Sequence, residues 1–310
     1  MIHSGGRQFL VKGSIGRPLA FIIAIFVVFT ILNLAIDYRP EYRWSDAPRW
    51  MQNSGAGACV HFLSAKSEGR LGNQMGEYAS LYAHARRLGV KAVIPEEMAR
   101  FLEPIFPNIS IPSEKGLPEC QFSGVYISKT DIALINSEEE LFSKSMDGGN
   151  TLMINKFPME VPFFHPYRRE LTQSEFAIDP DLLARVQLFL NRARSAKYPD
   201  LSPSQVLFVG VHARRTDYRE FLRINWGGHT VSKLFFTHAM ETYRARYPRQ
   251  KFLFLVVSDD VRWIKRMFRD EEEVVLAMTA GVELRGREGS NTSAMFDMAV
   301  QASCNHSIMR

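Results

Sequence analysis

The chain lacks the features that mark several large classes of protein. Its formal net charge is +5, but lysine and arginine are spread along the 310 residues and not concentrated in one tract. Nucleic-acid binders usually concentrate such charge, so no nucleic-acid partner is expected. There is no internal repeat and no low-complexity tract. With 46% hydrophobic residues, the composition is that of an ordinary folded protein, and the length suffices for about two domains.

Cysteine is scarce, with three residues in the chain. One hydrophobic run is long enough to cross a membrane. That run covers residues 19–36 and contains no charged residue, so as a helix it would be about 27 Å long, enough for a thin bilayer. Arg7, Lys12 and Arg17 precede it, and the positive-inside rule then keeps the N-terminus in the cytosol. The run predicts an uncleaved anchor; the alternatives are a secretory signal peptide and, less favoured, a buried soluble helix.

An anchor of this kind would place everything from Tyr38 onward in the lumen or outside the cell. The three cysteines, Cys59, Cys120 and Cys304, would then meet an oxidising compartment, where one disulfide and one free thiol are possible. The sequence does not choose the pair. Asn-x-Ser/Thr sequons occur at Asn108, Asn291 and Asn305. Asn108 lies in a proline-rich stretch predicted to be exposed, and it is the expected glycosylation site.

The pattern divides the chain into five segments. They are a cytosolic tail (1–18), the transmembrane anchor (19–36), a stem rich in Trp, Pro, Gly and Ser (37–57), a first domain (58–170) and a second domain (171–310). In the first domain, a strand over 58–63, a helix over 73–88 and a strand over 91–95 form a βαβ unit. Between 96 and 170 the pattern is weak.

The second domain alternates strictly between helices and strands. Helices are predicted near 180–196, 230–247, 261–269 and 292–303, and strands over 205–212, 252–257 and 273–278. Such alternation predicts an α/β fold whose parallel sheet is covered by helices on both faces.

The most informative segment is the end of the strand over 205–212. This apolar strand leads directly into His212, Arg214, Arg215 and Asp217. Open α/β sheets bind ligands at the carboxyl ends of their strands, where two guanidinium groups can hold a diphosphate through charge-assisted hydrogen bonds. The alternative is a structural pair of arginines neutralised by its acidic neighbour.

Two further segments fall where the same sheet would bind a ligand. Ser258, Asp259 and Asp260 end the next strand and could accept hydrogen bonds from a ribose or a base, although one of them, Asp260 in particular, could instead cap the following helix. Ser290 and Asn291 precede the last helix, whose N-terminus suits a phosphate. An ordinary N-cap explains that segment equally well.

A glycine loop joins the first strand to the first helix. Gly69 permits close backbone approach, and the amides of Asn73 and Gln74 suit sugar hydroxyls or a nucleotide. The loop lacks the G-x-G-x-x-G spacing, and no acidic residue follows at the right strand end. These absences argue against NAD.

Four groups of residues together resemble the animal galactoside α-1,2-fucosyltransferases in order and spacing. They are 69–79, 211–218, 257–260, and 296–299 with 304–306. The resemblance covers about 58–310 and implies two Rossmann-like domains in a GT-B-like fold, with 58–170 on the acceptor side and 171–310 as the GDP-fucose-binding domain. It also implies a Golgi membrane protein of type II topology. It also implies GDP-fucose as donor, a terminal galactose on glycoproteins or glycolipids as acceptor, and no metal or other cofactor. Arg214 and Arg215 fall on the family's HxRRxD motif, thought to hold the donor diphosphate.

The resemblance implies a single inverting displacement. No Asp-x-Asp element lies near a predicted strand end, and a guanidinium pair is the natural substitute for a metal ion on the departing GDP. A carboxylate or imidazole should take the proton of the acceptor hydroxyl, and Asp217, His212 and Glu220 are the local candidates. Asp217 is also explained as the partner that orients the arginines.

The chain ends at Arg310, where the family continues into a Ser/Thr-Phe-Gly-Trp-like motif. The second domain is therefore expected to be incomplete, through an incomplete sequence, a truncated isoform without activity, or divergence. A luminal pseudoenzyme that binds glycans or nucleotides is the alternative function. An unrelated oxidoreductase is a distant third, opposed by the predicted anchor and the lack of a dinucleotide fingerprint.

Overall fold

A computed structural model describes residues 61–116, 124–143, 151–155, 157–280 and 291–309. The predicted tail, anchor and stem lie outside these residues, as do Cys59 and Cys120. None of the helices within the described ranges has the length and apolar character that crossing a bilayer requires. Cys304 carries a free thiol whose Sγ lies 3.1 Å from the carbonyl oxygen of Val300, and burial raises its pKa to about 12.

The first sheet has three parallel strands. They are β1 (Phe62–Ala65), β2 (Gly124–Ser128) and β3 (Thr151–Asn155), in the spatial order β1-β3-β2. β2 and β3 were not predicted, because each has only five residues and stands among polar segments without clear periodicity. The strand predicted over 91–95 is reduced to isolated parallel bridges, in which Ala92 pairs with Leu63 and Ile94 with Ser113.

Helices accompany this sheet. They are α1 (Leu71–Leu88), α2 (Glu96–Leu102), α3 (Lys129–Leu134), α4 (Glu138–Ser143), α5 (Val161–Phe164) and α6 (Arg168–Glu170), with 3-10 turns at Glu114–Gly116 and His165–Tyr167 and a π-helical turn at Leu171–Glu175. α1 buries Tyr78, Leu81, Tyr82 and Ala85 at helical spacing, which explains why its prediction is confirmed. It begins two residues earlier than expected, and Gly89 ends it in the left-handed conformation (φ 70°).

The second sheet has four parallel strands. They are β4 (Val206–Ala213), β5 (Lys251–Ser258), β6 (Val274–Leu276) and β7 (His306–Met309), in the order β6-β5-β4-β7. β4 and β5 pair over their whole length, so that Val206 lies opposite Lys251 and Ala213 opposite Ser258. The two central strands therefore end at the same level.

Five helices of this half of the chain lie within the described residues. They are α7 (Pro180–Lys197), α8 (Thr216–Trp226), α9 (Lys233–Arg246), α10 (Val261–Met267) and α11 (Asn291–Ala302), with 3-10 turns at Pro203–Gln205 and Ala277–Thr279. Four of the five confirm the predicted helices to within a few residues. α8 was not predicted, and none of its residues is buried.

Both faces of the second sheet are covered, as the alternation predicted. Along β5, Leu253, Leu255 and Val257 belong to a hydrophobic cluster with residues of α7 and α11, where the rings of Phe189 and Phe296 meet at 5.8 Å. The intervening residues Phe252, Phe254 and Val256 belong to a second cluster with residues of α9 and α10. The period of two along one strand thus fills two cores on opposite sides.

Candidate functional site

The carboxyl ends of β4 and β5 bring the predicted site residues together. Ser258 Oγ donates a hydrogen bond to the carbonyl oxygen of Ala213 at 2.7 Å and ties the two strand ends. Arg214 and Asp259, the next residues along each strand, lie within ion-pair distance, with Arg214 Nη1 3.0 Å from Asp259 Oδ2. The prediction that these polar groups share one edge of the sheet is confirmed.

Asp259 is the centre of this cluster. Its carboxylate accepts hydrogen bonds from the backbone nitrogens of Arg215 (2.8 Å) and Thr216 (3.2 Å) and from Thr216 Oγ1 (2.5 Å). Burial alone would raise the pKa of Asp259, but these hydrogen bonds and the charge of Arg214 outweigh it and hold the pKa below its ordinary value. Asp259 therefore fixes the first turn of α8 from the neighbouring strand. Its predicted contact with a ribose or base stays a prediction.

The guanidinium of Arg214 forms ion pairs with two carboxylates. Besides Asp259, it pairs with Asp217, with Arg214 Nη2 2.6 and 2.8 Å from the two carboxylate oxygens. The Arg214 side chain is 24% exposed and Asp217 is 55% exposed. The arrangement is the ion pair that the structural alternative anticipated, placed at the surface of the sheet edge, where a competing anion can reach it.

Arg70 is a site residue that sequence reasoning missed. It belongs to the glycine loop of the first half of the chain, and its Nη2 lies 3.2 Å from Asp217 Oδ2. Asp217 thus joins two guanidinium groups from different sheets. The available signal was a basic residue directly after the left-handed Gly69, in a loop at a strand end.

Arg215 is held inside the protein. Its guanidinium carbon lies 3.9 Å from the centre of the Trp263 ring, Nη1 donates to the carbonyl oxygen of Val231 at 3.1 Å, and the side chain is 12% exposed. Asp260 lies nearby, with 3.7 Å between Arg215 Nε and its Oδ2, and it caps α10 by accepting from Trp263 N at 3.0 Å. The capping interpretation of Asp260 is confirmed. Trp263, which the sequence did not single out, is the platform for Arg215.

The other candidate bases differ in their surroundings. His212 is half-buried in β4; burial lowers its pKa, the charge of Arg214 adds to this, and Asp259 opposes it. The imidazole is therefore neutral near neutral pH and can accept a proton. Glu220 is exposed on α8 and pairs with Arg223, whose Nε lies 3.1 Å from Glu220 Oε2. This hydrogen bonding lowers the pKa of Glu220 and makes it a weaker base.

The glycine loop is ordered by its own side chains. Gly69 has φ of 78°, a conformation that favours glycine, and a Cβ there would displace the Asn73 side chain, whose Nδ2 would lie 2.0 Å away. Gln74 is 1% exposed; its Nε2 donates to the carbonyl oxygen of Glu68 at 2.9 Å, and its Oε1 accepts from Ser67 Oγ at 2.8 Å. Both polar ends of Gln74 therefore serve the loop, whereas the sequence suggested that they bind a ligand.

A buried carboxylate lies beneath the same loop. Glu77 is fully buried, and its Oε2 accepts from the backbone nitrogen of Glu68 at 3.1 Å, while its Oε1 has no hydrogen-bond partner among the described residues. Burial raises its pKa to about 7, although the bond from Glu68 N opposes the shift. Glu77 is a second residue that sequence reasoning missed, since it was counted only as part of a motif.

The remaining predicted positions are those before the last helix and the glycosylation sequons. Asn291 begins α11, and Ser290 lies outside the described residues. Asn108 is exposed in a turn, a position that a glycan could occupy, whereas Asn305 Oδ1 accepts from Phe208 N at 2.9 Å. Across the described part of the chain, no three His, Cys, Asp or Glu side chains cluster as metal ligands would.

Comparison with known proteins identifies the family. A model of glycosyl transferase family 11 matches residues 41–310. Galactoside 2-α-L-fucosyltransferase SEC1 of Bos taurus is 30% identical over 305 residues, 93% of this chain and 72% of that protein. Galactoside α-(1,2)-fucosyltransferase 2 of Rattus norvegicus is 30% identical over an alignment of 316 positions, which covers 94% of this chain and 81% of that protein.

The fold has a relative among solved structures. The fucosyltransferase NodZ from Bradyrhizobium superposes with a TM-score of 0.52 at 15% identity, covering 80% of this chain and 87% of NodZ. At this identity the likeness concerns the fold, an α/β architecture with parallel sheets. The family match and the sequence relatives carry the assignment: the chain belongs to glycosyl transferase family 11, together with the galactoside α-1,2-fucosyltransferases.

Proposed function

We propose that this protein transfers L-fucose from GDP-fucose to the 2-hydroxyl of a terminal galactose on glycoprotein or glycolipid glycans. The observation that carries the proposal is the family match over residues 41–310, supported by relatives named as galactoside 2-α-L-fucosyltransferases at 30% identity. The convergence of Arg214, Arg215 and Asp259 at one sheet edge supplies a site for the donor.

The two parallel sheets support a GT-B-like arrangement, with the donor at the carboxyl ends of β4 and β5. Arg214 is the guanidinium that a diphosphate can reach, since Arg215 is packed against Trp263. A diphosphate oxygen would take the place of the Asp217 carboxylate on Arg214 and gain a charge-assisted hydrogen bond of the same kind. Arg215, held by Val231 and Trp263, then supports the edge and adds positive charge behind it.

The reaction is one inverting displacement without a metal ion. The galactose 2-oxygen attacks the anomeric carbon of fucose, the bond to the β-phosphate oxygen breaks, and GDP leaves with the bonding electrons. Arginine can stabilise the negative charge that develops on the β-phosphate. The hydroxyl proton passes to one of three groups, Asp217, His212 or Glu220. Of the three, His212 and Asp217 lie next to Arg214, whereas Glu220 is one turn further along α8 and pairs with Arg223.

We further propose that the protein is a single-pass type II protein of the Golgi membrane with its catalytic part in the lumen. The support is the uncharged run over 19–36 and the three basic residues before it. A fusion carrying a luminal glycosylation reporter and a microscopy tag would test it. Absence of the reporter glycan, or location elsewhere, would contradict it.

A turnover assay tests the activity. Incubation with GDP-fucose and lactose should yield a fucosylated trisaccharide, with an α-1,2 linkage identified by NMR. Lactose methylated at the galactose 2-oxygen should give no product, and GDP-mannose should not replace the donor. Arg214→Ala should abolish transfer, whereas Arg249→Ala, which removes an exposed arginine elsewhere, should not. Binding of GDP-fucose or lactose without any turnover would instead indicate a binding protein.

A further inference from the structure

Helix α8 carries apolar side chains that are exposed. Tyr218, Phe221, Ile224 and Trp226 are 36%, 48%, 65% and 76% exposed, and no residue of the helix is buried. Steps of three or four residues along a helix connect neighbouring side chains, so Tyr218, Phe221 and Ile224 form one continuous strip. Trp226, two residues after Ile224, lies on another side of the helix. We call Tyr218, Phe221 and Ile224 the α8 aromatic surface.

The opposite side of α8 is charged. Arg219, Glu220 and Arg223 lie there, and Glu220 pairs with Arg223. The helix is therefore amphipathic, yet its apolar side does not enter either hydrophobic core. An amphipathic helix whose apolar side remains exposed is typical of a binding surface.

The surface has a defined shape. The rings of Tyr218 and Phe221 are stacked, with 5.7 Å between their centroids and 13° between their planes. The pair presents flat aromatic groups that are already ordered against each other. Such groups offer contact area at a low cost in conformational entropy.

The surface is continuous with the candidate donor site. The first turn of α8 contains Asp217, which pairs with Arg214 and with Arg70. Beyond its last turn, Gly228 N donates to the carbonyl oxygen of Leu222, and the chain returns to hold Arg215 through Val231. A molecule on the α8 aromatic surface therefore lies beside the residues assigned to the diphosphate.

We propose that the α8 aromatic surface is the subsite for the galactose-terminated acceptor; this proposal rests on the proposed function. One face of a β-galactose ring carries only C–H bonds and stacks on aromatic rings, while its hydroxyl groups lie at the edge and on the opposite face. The acceptor is neutral, which fits a strip whose charged neighbour, Asp217, is already paired with Arg214 and Arg70. The three side chains also fall far short of the roughly 20–30 residues per partner of a stable protein interface.

The test separates acceptor binding from donor binding. Phe221→Ala should raise the KM for lactose roughly three- to tenfold, the effect of one lost aromatic contact, and leave kcat and the KM for GDP-fucose within about twofold. Phe221→Trp should restore a KM near the wild-type value. Leu188→Ala is the matched control, since Leu188 on α7 is 43% exposed and lies outside the surface. Leu188→Ala should change neither the KM for lactose nor the KM for GDP-fucose.

Saturation-transfer NMR with lactose gives a readout that does not need turnover. With GDP present, the wild-type protein should transfer saturation to galactose protons, and Phe221→Ala should weaken that transfer severalfold. If the wild type fails to transfer fucose but shows this loss, the proposed function fails and the subsite stands. Unchanged lactose constants and unchanged saturation transfer in Phe221→Ala would overturn the subsite. The subsite would also be overturned if Phe221→Ala changed only the oligomeric state of the protein or its binding to lipid vesicles.

Discussion

Replacing Glu77 with glutamine should make the stability of this protein less dependent on pH. The Glu77 carboxyl is fully buried and receives one hydrogen bond from Glu68 N at 3.1 Å, and within the described part of the chain its other oxygen has no partner. Its pKa is raised from 4.5 to about 7, and burial is the main cause. Ionisation therefore costs more in the folded protein than in the unfolded chain.

The sign and size follow from linkage. Below the unfolded pKa the carboxyl is protonated in both states and stability is at its full value; as the pH rises through about 7, that stability is lost. The pKa difference corresponds to about 3 kcal/mol, of which about 2 to 3 kcal/mol falls between about pH 5 and pH 8.5. Glutamine keeps an oxygen acceptor for Glu68 N and does not ionise. Any cost of its unpaired amide is independent of pH.

Urea unfolding of wild type and Glu77→Gln at about pH 5 and pH 8.5 measures the effect. The free energy of unfolding of the variant, relative to wild type, should increase by about 2 to 3 kcal/mol at the higher pH. Glu241→Gln is the control, because Glu241 is exposed, and its difference from wild type should stay within about 0.5 kcal/mol at both pH values. A Glu77→Gln difference that is equal at the two pH values would refute the reasoning.

Three further outcomes are expected. Arg215→Lys should lower kcat/KM, because lysine cannot both cover Trp263 and donate to the carbonyl oxygen of Val231. The loss of transition-state stabilisation should be roughly 1.5–3 kcal/mol per charged hydrogen bond lost. Wild-type kinetics would contradict a role for this guanidinium. Asp259→Asn should lower the free energy of unfolding by about 1–3 kcal/mol, since the amide cannot accept all the donors of Arg215 and Thr216, and an unchanged urea midpoint would count against it. EDTA should leave fucosyl transfer intact, whereas loss that only manganese restores would overturn the metal-free mechanism.

Most of the second half of the fold was predictable from periodicity. β5 alternates between two cores, and α7, α9, α10 and α11 lie where helical spacing placed them. The short strands β2 and β3 were not predictable, because five residues in a polar context carry too little pattern. α8 escaped prediction although its sequence is amphipathic, and its apolar side turned out to face away from both cores.

The sequence by itself determined the α/β class, the family, and the residue types that follow β4 and β5. These are local properties, because the alternation of helices and strands and the residues that follow each strand can be recognised from residues close together in the sequence. Only the tertiary structure decided the partners: Asp259 binds the start of α8, Asp260 caps α10, and Asp217 bridges Arg214 to Arg70. Such pairings depend on how two separately formed sheets and their loops pack together, which no local pattern specifies.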